Sequence, residues 1–366
     1  MTKIAIIGAG SIGCHLAFSC RKVGWNVTVF DNSKVALTRL QCELYPNRYG
    51  RWDTEIKTYD MSVFQQCSKL EFDVILIGTP PDTHVEVLTQ CIPLEPKIIM
   101  IEKPICPPND IQIGILNSIF SANFEIKFLV GYNHRVSRIV KELKRAWQKN
   151  GSLPVTKIDV NWLEDWSGIL NAHPWLKGPE DSYLGFTERG GGALFEHSHG
   201  LDLWLHLANY FGLGRPKEIG AKVSSNMNEA VSYTCEERIE IEIQTDKGFT
   251  GRVCQDVTSN PPVKQVNVSD SRFRYILDFH IEGTSDRIQI VESSSDEIFQ
   301  EVFYAKKRFV DFDEEIYEIQ LLLSHNNKLV LVPSPLDALS GLETAKIGKN
   351  SLISADENRV VSLVSL

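Results

Sequence analysis

The feature that most constrains the fold is a glycine-rich turn near the first residue of the sequence. The pattern GxGxxG over residues 8–13 follows the apolar run Lys3–Ile7 and precedes a helical pattern over 11–23. In this setting the first glycine permits a tight turn, the second lets a pyrophosphate approach, and the third lets helix and strand pack. The helix N-terminus then offers N–H groups and a positive dipole end to phosphates. The predicted dinucleotide-binding residues are Gly8, Gly10, Ser11, Ile12 and Gly13.

A carboxylate follows at the spacing that such a site requires. Asp31 closes the second apolar run, Asn26–Phe30, and lies 18 residues after Gly13. Dinucleotide-binding domains place an acidic residue there to bond the ribose 2′-hydroxyl. Because a carboxylate would repel a 2′-phosphate, the sequence favours NAD over NADP as the cofactor. The alternative is that Asp31 merely begins a turn at 32–33.

The distribution of apolar residues predicts the fold class and the domains. Over the first 130 residues, continuous apolar runs alternate with helical patterns, which is typical of a parallel sheet buried on both faces. Later stretches such as Arg238–Gln244 alternate strictly and predict antiparallel strands with one polar face. We therefore expect an α/β chain with a Rossmann-type, doubly wound parallel sheet over 1–130. An α+β domain with a large, mostly antiparallel open-faced sheet is expected over 131–366, its last segment packing back toward the first domain.

Composition excludes several other classes of protein. With 38 basic and 47 acidic residues, the net charge of −9 does not provide the broad basic surface of a nucleic-acid binder. No apolar run reaches the ~18–20 residues of a membrane span, and no signal-peptide pattern opens the sequence. The eight cysteines are scattered without a CxxC pair, so neither disulfides nor a zinc site are indicated. We expect a cytoplasmic protein without a metal, a nucleic-acid partner or a membrane anchor.

Three further motifs occur in a characteristic order. Gly-Thr-Pro-Pro-Asp-Thr-His at 78–84 follows one predicted strand, and Glu-Lys-Pro at 102–104 follows the next. Three glycines at 190–192 then precede a helical pattern that carries Glu196, His199 and Asp202. Together with the glycine turn, these motifs resemble the glucose–fructose oxidoreductase/inositol dehydrogenase/rhizopine-catabolism family over nearly the whole chain.

The resemblance implies an activity and an assembly. Such a protein would transfer a hydride reversibly between nicotinamide and an oxygen-bearing carbon of a sugar, a sugar derivative or a cyclitol. The pattern Ser-His-Gly-Leu-Asp at 198–202 is similar to a branch that acts on acidic, amino or nucleotide sugars. A homodimer or a homotetramer is expected. Two alternatives remain open: an NAD-borrowing glycosidase of the same superfamily, and a non-catalytic dinucleotide-binding regulator.

The resemblance also implies roles for individual residues. Lys103 would contact the reacting oxygen, and His199 would be the acid/base group. Asn133 and Arg135 would lie close to cofactor or substrate, although they could instead cap the helix predicted over 136–148. The residues that would line the cofactor are Thr79, Pro80, His84, Glu102 and Lys103.

The two principal residues have suitable chemistry for alcohol oxidation. The cofactor takes the hydride, so the protein must accept a proton, and an imidazole with an ordinary pKa of ~6.5 does so near neutral pH. The Lys103 ammonium would stabilise the developing alkoxide. Glu196 and Asp202 each lie three positions from His199, and either could orient its ring. Most family members carry Asp four residues before the histidine, where this chain has Phe195.

A stretch rich in aromatic residues, 162–188, is expected to be a long irregular loop before the catalytic helix. Aromatic faces suit the C–H faces of a sugar, which makes Trp166 and Tyr183 candidate substrate-binding residues. The alternative is a small aromatic cluster that packs beneath the loop.

Overall fold

The computed structural model of the protein describes residues 1–224, 234–307, 309–324 and 334–363. The chain folds into two compact units. The first comprises residues 1–106, 110–133 and 309–342, and the second comprises 107–109, 134–308 and 343–366. Residues 309–324 and 334–342 therefore lie in the unit of the N-terminal sheet. The sequence analysis placed them in the domain over 131–366, with the last segment expected to pack back toward the first domain.

A six-stranded parallel sheet forms the centre of the first unit. Its strands are β1 (Lys3–Ile7), β2 (Asn26–Asp31), β3 (Lys57–Asp60), β4 (Val74–Ile77), β5 (Ile98–Ile101) and β6 (Lys127–Val130). The helices along this part of the chain are α1 (Ser11–Lys22), α2 (Lys34–Arg39), α3 (Tyr45–Tyr49), α4 (Met61–Phe64), α5 (His84–Cys91) and α6 (Asp110–Ala122). The strand order β3-β2-β1-β4-β5-β6 is that of a dinucleotide-binding fold.

The central strands are the apolar runs seen in the sequence. Every residue of β4 and β5 is buried, as expected for strands with both faces covered. The sequence analysis missed β3, which pairs with β2 at the edge of the sheet. Its four residues, Lys-Thr-Tyr-Asp, are exposed or half-buried, so β3 lacks the apolar signature of the other strands.

The second unit contains a nine-stranded sheet and its helices. The helices are α7 (Arg138–Lys149), α8 (Trp166–Asn171), α9 (Gly192–Glu196) and α10 (His199–Tyr210). The nine strands are β7 (Lys157–Leu163), β8 (Pro216–Ser224), β9 (Arg238–Thr245), β10 (Thr250–Asp256), β11 (Val263–Ser269), β12 (Phe273–Ile281), β13 (Ser285–Glu292), β14 (Ile298–Ala305) and β15 (Val361–Ser362). Within this nine-stranded sheet, β7 and β10 pair in parallel, and the other described pairs of neighbouring strands are antiparallel. This confirms the predicted fold class.

The remaining elements follow β14 in the chain. They are α11 (Val310–Ser324), α12 (Ala338–Asp356) and β15 (Val361–Ser362). In the first unit α11 packs on α1, and the ring of Phe312 stacks on that of His15. In the second unit β15 adds a strand beside β8 at one edge of the large sheet.

The alternation in β9 places apolar and polar residues on opposite faces of the large sheet. Ile239, Ile241 and Ile243 are buried in the core that also holds Trp204 of α10. On the other face, Glu240 pairs with Arg238 at 3.0 Å and with Arg252 at 3.3 Å. The apolar positions of this strand are thus covered by helices of the same unit.

Two local predictions were wrong. The helical pattern after 190–192 is two helices, because α9 ends at Glu196 and α10 begins at His199, with tight turns between them. Glu196 and His199 therefore do not share the face of one helix. The stretch 162–188 is not a single irregular loop either, since Trp162 lies in β7 and α8 follows it.

No helix among residues 1–224, 234–307, 309–324 and 334–363 is both long enough and apolar enough to cross a membrane.

Candidate functional site

The glycine turn between β1 and α1 has the geometry that a pyrophosphate requires. Gly8 has a φ of +113°, which only glycine adopts without strain. A Cβ on Gly13 would lie 2.0 Å from the Gly8 carbonyl oxygen, so this position admits no side chain. A Cβ on Gly10 would meet no atom of the described residues within 4 Å. The turn is therefore tight where helix and strand meet and open at Gly10, where a phosphate would approach.

Asp31 is tied to this turn at the end of β2. One carboxylate oxygen accepts a 2.7 Å hydrogen bond from the Ala9 amide, and the other accepts one of 2.7 Å from the Ser33 amide. Asp31 therefore begins a turn and also joins the glycine turn. The turn that the alternative interpretation predicts is present, and the contact with the ribose stays a prediction.

Arg48 is a residue of the site that the sequence analysis missed. Its guanidinium donates two hydrogen bonds of 3.0 Å to Ser11, one to the carbonyl oxygen and one to Oγ. Ser11 is the first residue of α1, 37 positions away in the chain. No spacing rule relates the two residues, because Arg48 lies on α3, in the segment between β2 and β3.

His84 holds together the two loops that follow β4 and β5. Its ring is fully buried, with Nε2 at 2.8 Å from the Thr79 carbonyl oxygen and Nδ1 at 3.1 Å from that of Ile105. Burial lowers the pKa of His84, and these backbone contacts oppose the change. The geometry gives His84 a structural role that fixes Thr79 and Pro80, in addition to the cofactor contact implied by the resemblance.

The Glu-Lys-Pro motif lies at the carboxyl end of β5. Glu102 is buried, and Lys103 is partly exposed. A Cβ on Gly131 would lie 2.7 Å from the Glu102 carboxyl group, so the glycine after β6 makes room for this side chain. Asn133 is also buried, and its Oδ1 has no hydrogen-bond partner among the described residues. An orphaned acceptor of this kind fits a ligand contact.

In the second unit, a buried ion pair joins Arg135 to Asp202. Both side chains are at most 2% exposed, and the guanidinium bonds both carboxylate oxygens of Asp202. The Thr344 hydroxyl donates a further hydrogen bond of 2.9 Å to Asp202. Burial raises the pKa of Asp202, while Arg135 and Thr344 oppose that rise. The Asp202 carboxylate thus accepts hydrogen bonds from Arg135 and Thr344.

His199 lies at the start of α10, against a group of aromatic rings. Its centroid is 4.6 Å from that of His134 and 5.8 Å from that of Trp162. His134 is also 5.9 Å from His280, which stands at a bulge of β12 with a φ of +57°. The sequence analysis missed His134 and His280 as neighbours of His199, because only the packing of separate elements brings these residues together.

The other predicted residues of this unit form a smaller group near α9. The Tyr183 hydroxyl donates to the Glu196 carboxylate at 3.3 Å. Trp166 and Tyr183 pack against a buried apolar cluster that includes Leu184 and Ala193. The two aromatic side chains thus lie against a cluster whose buried members are aliphatic, and both remain partly buried.

The parallel sheet has the strand order β3-β2-β1-β4-β5-β6, and a glycine turn joins β1 to α1. Together these features define a dinucleotide-binding protein of the Rossmann class. Residues 2–113 match the family model described as an oxidoreductase family with an NAD-binding Rossmann fold. Over these residues the match confirms the resemblance to the glucose–fructose oxidoreductase/inositol dehydrogenase/rhizopine-catabolism family that was drawn from the motifs. No curated protein sequence matches the chain significantly.

Solved structures share the fold along the whole chain. Aldose-aldose oxidoreductase from Caulobacter crescentus is 16% identical, with a TM-score of 0.73 and 99% of each chain covered. Levoglucosan dehydrogenase in complex with NADH and L-sorbose is 15% identical, with a TM-score of 0.73, covering 100% of this chain and 99% of that one. UDP-N-acetylglucosamine 3-dehydrogenase from Acidithiobacillus ferrooxidans is 15% identical, with a TM-score of 0.70 and coverages of 97% and 98%.

Proposed function

We propose that this protein is an NAD-dependent oxidoreductase that transfers a hydride between nicotinamide and a hydroxyl-bearing carbon. The main observation behind the proposal is the glycine turn. Backbone atoms leave no space for a side chain at Gly13, whereas the space beside Gly10 is open to a phosphate. The family match over residues 2–113 supports it independently. NAD supplies the hydride acceptor when bound, and Gly8, Gly10, Ser11, Ile12 and Gly13 would hold its pyrophosphate.

The choice of NAD over NADP rests on Asp31. Its carboxylate is fixed at the end of β2 by the Ala9 and Ser33 amides. In that position its negative charge would favour a ribose with free hydroxyl groups and repel a 2′-phosphate.

The chain supplies the proton chemistry that hydride transfer requires. We assign to His199 the acceptance of the hydroxyl proton, and to the Lys103 ammonium the stabilisation of the alkoxide. Thr79, Pro80 and Glu102 remain proposed cofactor contacts, and Asn133 offers its buried Oδ1 to cofactor or substrate.

The roles of the two carboxylates differ. Because Asp202 bonds Arg135 and Thr344, we assign it the positioning of Arg135. Glu196 is the carboxylate that we propose to orient His199 or to bond a substrate hydroxyl, together with Tyr183.

The proposed substrate is a sugar, a sugar derivative such as an amino or nucleotide sugar, or a cyclitol. Three structures with this fold are named for aldose, levoglucosan and UDP-N-acetylglucosamine oxidoreductases. Trp166 and Tyr183, which are partly exposed, remain the aromatic side chains that we propose to contact a sugar ring. The homodimer or homotetramer that the family resemblance implies stays a proposal, and light scattering on the purified protein would measure it.

The test is NADH formation with NAD and a panel of free sugars, inositols, sugar phosphates and nucleotide sugars. We expect one substrate class to give a signal that the Lys103→Met variant loses by a factor of at least 100, while NADH binding changes little. A Lys103→Met variant with wild-type turnover would contradict the role of Lys103. NADH binding without turnover on any substrate would favour a regulator, or a glycosidase that shows no net NADH and cleaves aryl glycosides.

A further inference from the structure

The glycine turn needs a positive charge that its own residues do not contain. Residues 8–13 include no lysine or arginine, whereas a dinucleotide pyrophosphate carries two negative charges. The N-terminus of α1 contributes about half an elementary charge. A cation from elsewhere in the chain would balance the remainder, and this consideration rests on the proposed dinucleotide function.

Arg48 stands at the place where that charge is needed. Its guanidinium bonds the carbonyl oxygen and Oγ of Ser11, the first residue of α1, at 3.0 Å each. It is also close enough to Cys14, one turn further along α1, to oppose part of the rise that burial causes in the thiol pKa. Arg48 is half-buried, so its charge lies beside the end of the helix rather than in bulk water.

Aromatic packing fixes α3 and therefore the position of Arg48. The ring of Tyr49 stacks on Phe18 of α1 with a centroid distance of 3.7 Å, and its hydroxyl lies 2.5 Å from His15 Nδ1. Tyr45 packs edge-to-face on Trp52 at 5.2 Å. Because Tyr45 and Tyr49 flank Arg48 in the sequence, α3 presents the guanidinium to α1 from a rigid base.

We propose that Arg48 binds the pyrophosphate of the dinucleotide and supplies the cation that the glycine turn lacks. A guanidinium has five N–H donors in a planar fork, so it can keep a bond to Ser11 while it donates to a phosphate oxygen. Arg48 is then a binding residue supplied by the segment between β2 and β3, outside every motif of the nucleotide-binding pattern.

The test compares NADH affinity in four proteins by fluorescence titration at low and at high salt. Arg48→Gln keeps an N–H donor for Ser11 but removes the charge, and Arg48→Lys keeps the charge but removes the fork. Arg51→Met is the matched control, because Arg51 is an exposed arginine three positions away. Circular dichroism and the melting temperature check that each variant is folded.

We expect Arg48→Gln to bind NADH at least tenfold more weakly at low salt and to lose most of the salt dependence. Arg48→Lys should lose less affinity and keep the salt dependence, and Arg51→Met should bind as the wild type does. The inference would be overturned if Arg48→Gln bound NADH within twofold of the wild-type affinity. It would also be overturned if this variant lost the same factor of NADH affinity at low and at high salt. If Arg48→Gln did not fold, Arg48→Lys would decide the question. An Arg48→Lys protein that binds NADH with wild-type affinity, and whose affinity does not depend on salt, would overturn the inference. Absence of NADH binding by the wild-type protein would instead overturn the proposed function.

Discussion

At the scale of single residues, the charged groups of the candidate site are held by partners that are distant in sequence. Arg135 and Asp202 lie 67 positions apart and are both buried. Removing one member of such a pair leaves an uncompensated charge, which typically costs about 3–5 kcal/mol. Asp31 is likewise held by a partner that is distant in sequence. Its carboxylate accepts a hydrogen bond from the Ala9 amide, which lies 22 positions earlier.

Asp31→Asn is expected to narrow the preference for NAD over NADP. The substitution removes the charge that repels a 2′-phosphate. Its single amide oxygen can accept only one of the two hydrogen bonds that the Ala9 and Ser33 amides donate to separate carboxylate oxygens of Asp31. We expect the NADPH dissociation constant to fall about tenfold relative to that of NADH, as measured by fluorescence titration. Asp53→Asn is the control, because Asp53 pairs with Arg21 and not with the glycine turn. An unchanged ratio of the two constants in Asp31→Asn would show that Asp31 does not contact the ribose.

At the scale of elements, two glycines of the glycine turn are needed for different reasons, one for the packing of the turn and one for the approach of a ligand. Gly13 lies against the backbone of Gly8, whereas Gly10 faces open space. Backbone atoms cannot move aside as a flexible side chain can, so the two glycines tolerate an added methyl group differently.

Gly13→Ala and Gly10→Ala form a matched pair. Gly13→Ala places a methyl group 2.0 Å from a carbonyl oxygen and should destabilise the first unit by about 1–3 kcal/mol or more. Gly10→Ala should melt within about 2 °C of the wild type yet lose NADH affinity, since the methyl group occupies the phosphate approach. Thermal unfolding and NADH titration together distinguish the two. A Gly10→Ala protein with full affinity would contradict the placement of the pyrophosphate.

At the scale of the whole molecule, a buried carboxyl group links folding stability to pH. Glu315 of α11 is 0% exposed, and neither carboxyl oxygen has a hydrogen-bond partner among the described residues. Burial raises the pKa of Glu315 well above its usual value, and the carboxyl groups of Glu102 and Asp311 add to the rise. The folded protein therefore retains a proton that the unfolded chain releases above pH 4.5.

This proton makes the free energy of unfolding fall as the pH rises above about 4.5, by up to about 1.4 kcal/mol per pH unit, until the raised pKa is passed. Glu315→Gln removes the titration, so its stability relative to wild type should increase over that interval. Urea unfolding between about pH 5 and pH 7 measures the effect. Glu314→Gln, partly exposed on the same helix, is the control. Parallel stability curves for wild type and Glu315→Gln would contradict the prediction.

The sequence alone was sufficient where a feature is local. Continuous apolar runs predicted β1 and β2 to within one residue, and strict alternation predicted β9, because each pattern reflects burial along one strand. The glycine turn was equally readable, since its steric requirement lies within residues 8–13. The motifs at 8–13, 78–84 and 102–104 indicated a family whose model matches residues 2–113.

The tertiary structure decided what depends on pairing between distant segments. It placed Arg48 on Ser11, Arg135 on Asp202, and His134 beside both His199 and His280. It also separated α9 from α10, although the helical pattern continues through the break. Periodicity records which face of an element is buried, but it does not record which side chain lies opposite. For that reason the sequence determined the fold class and the dinucleotide turn of this protein, and packing decided which charges and rings surround its candidate catalytic residues.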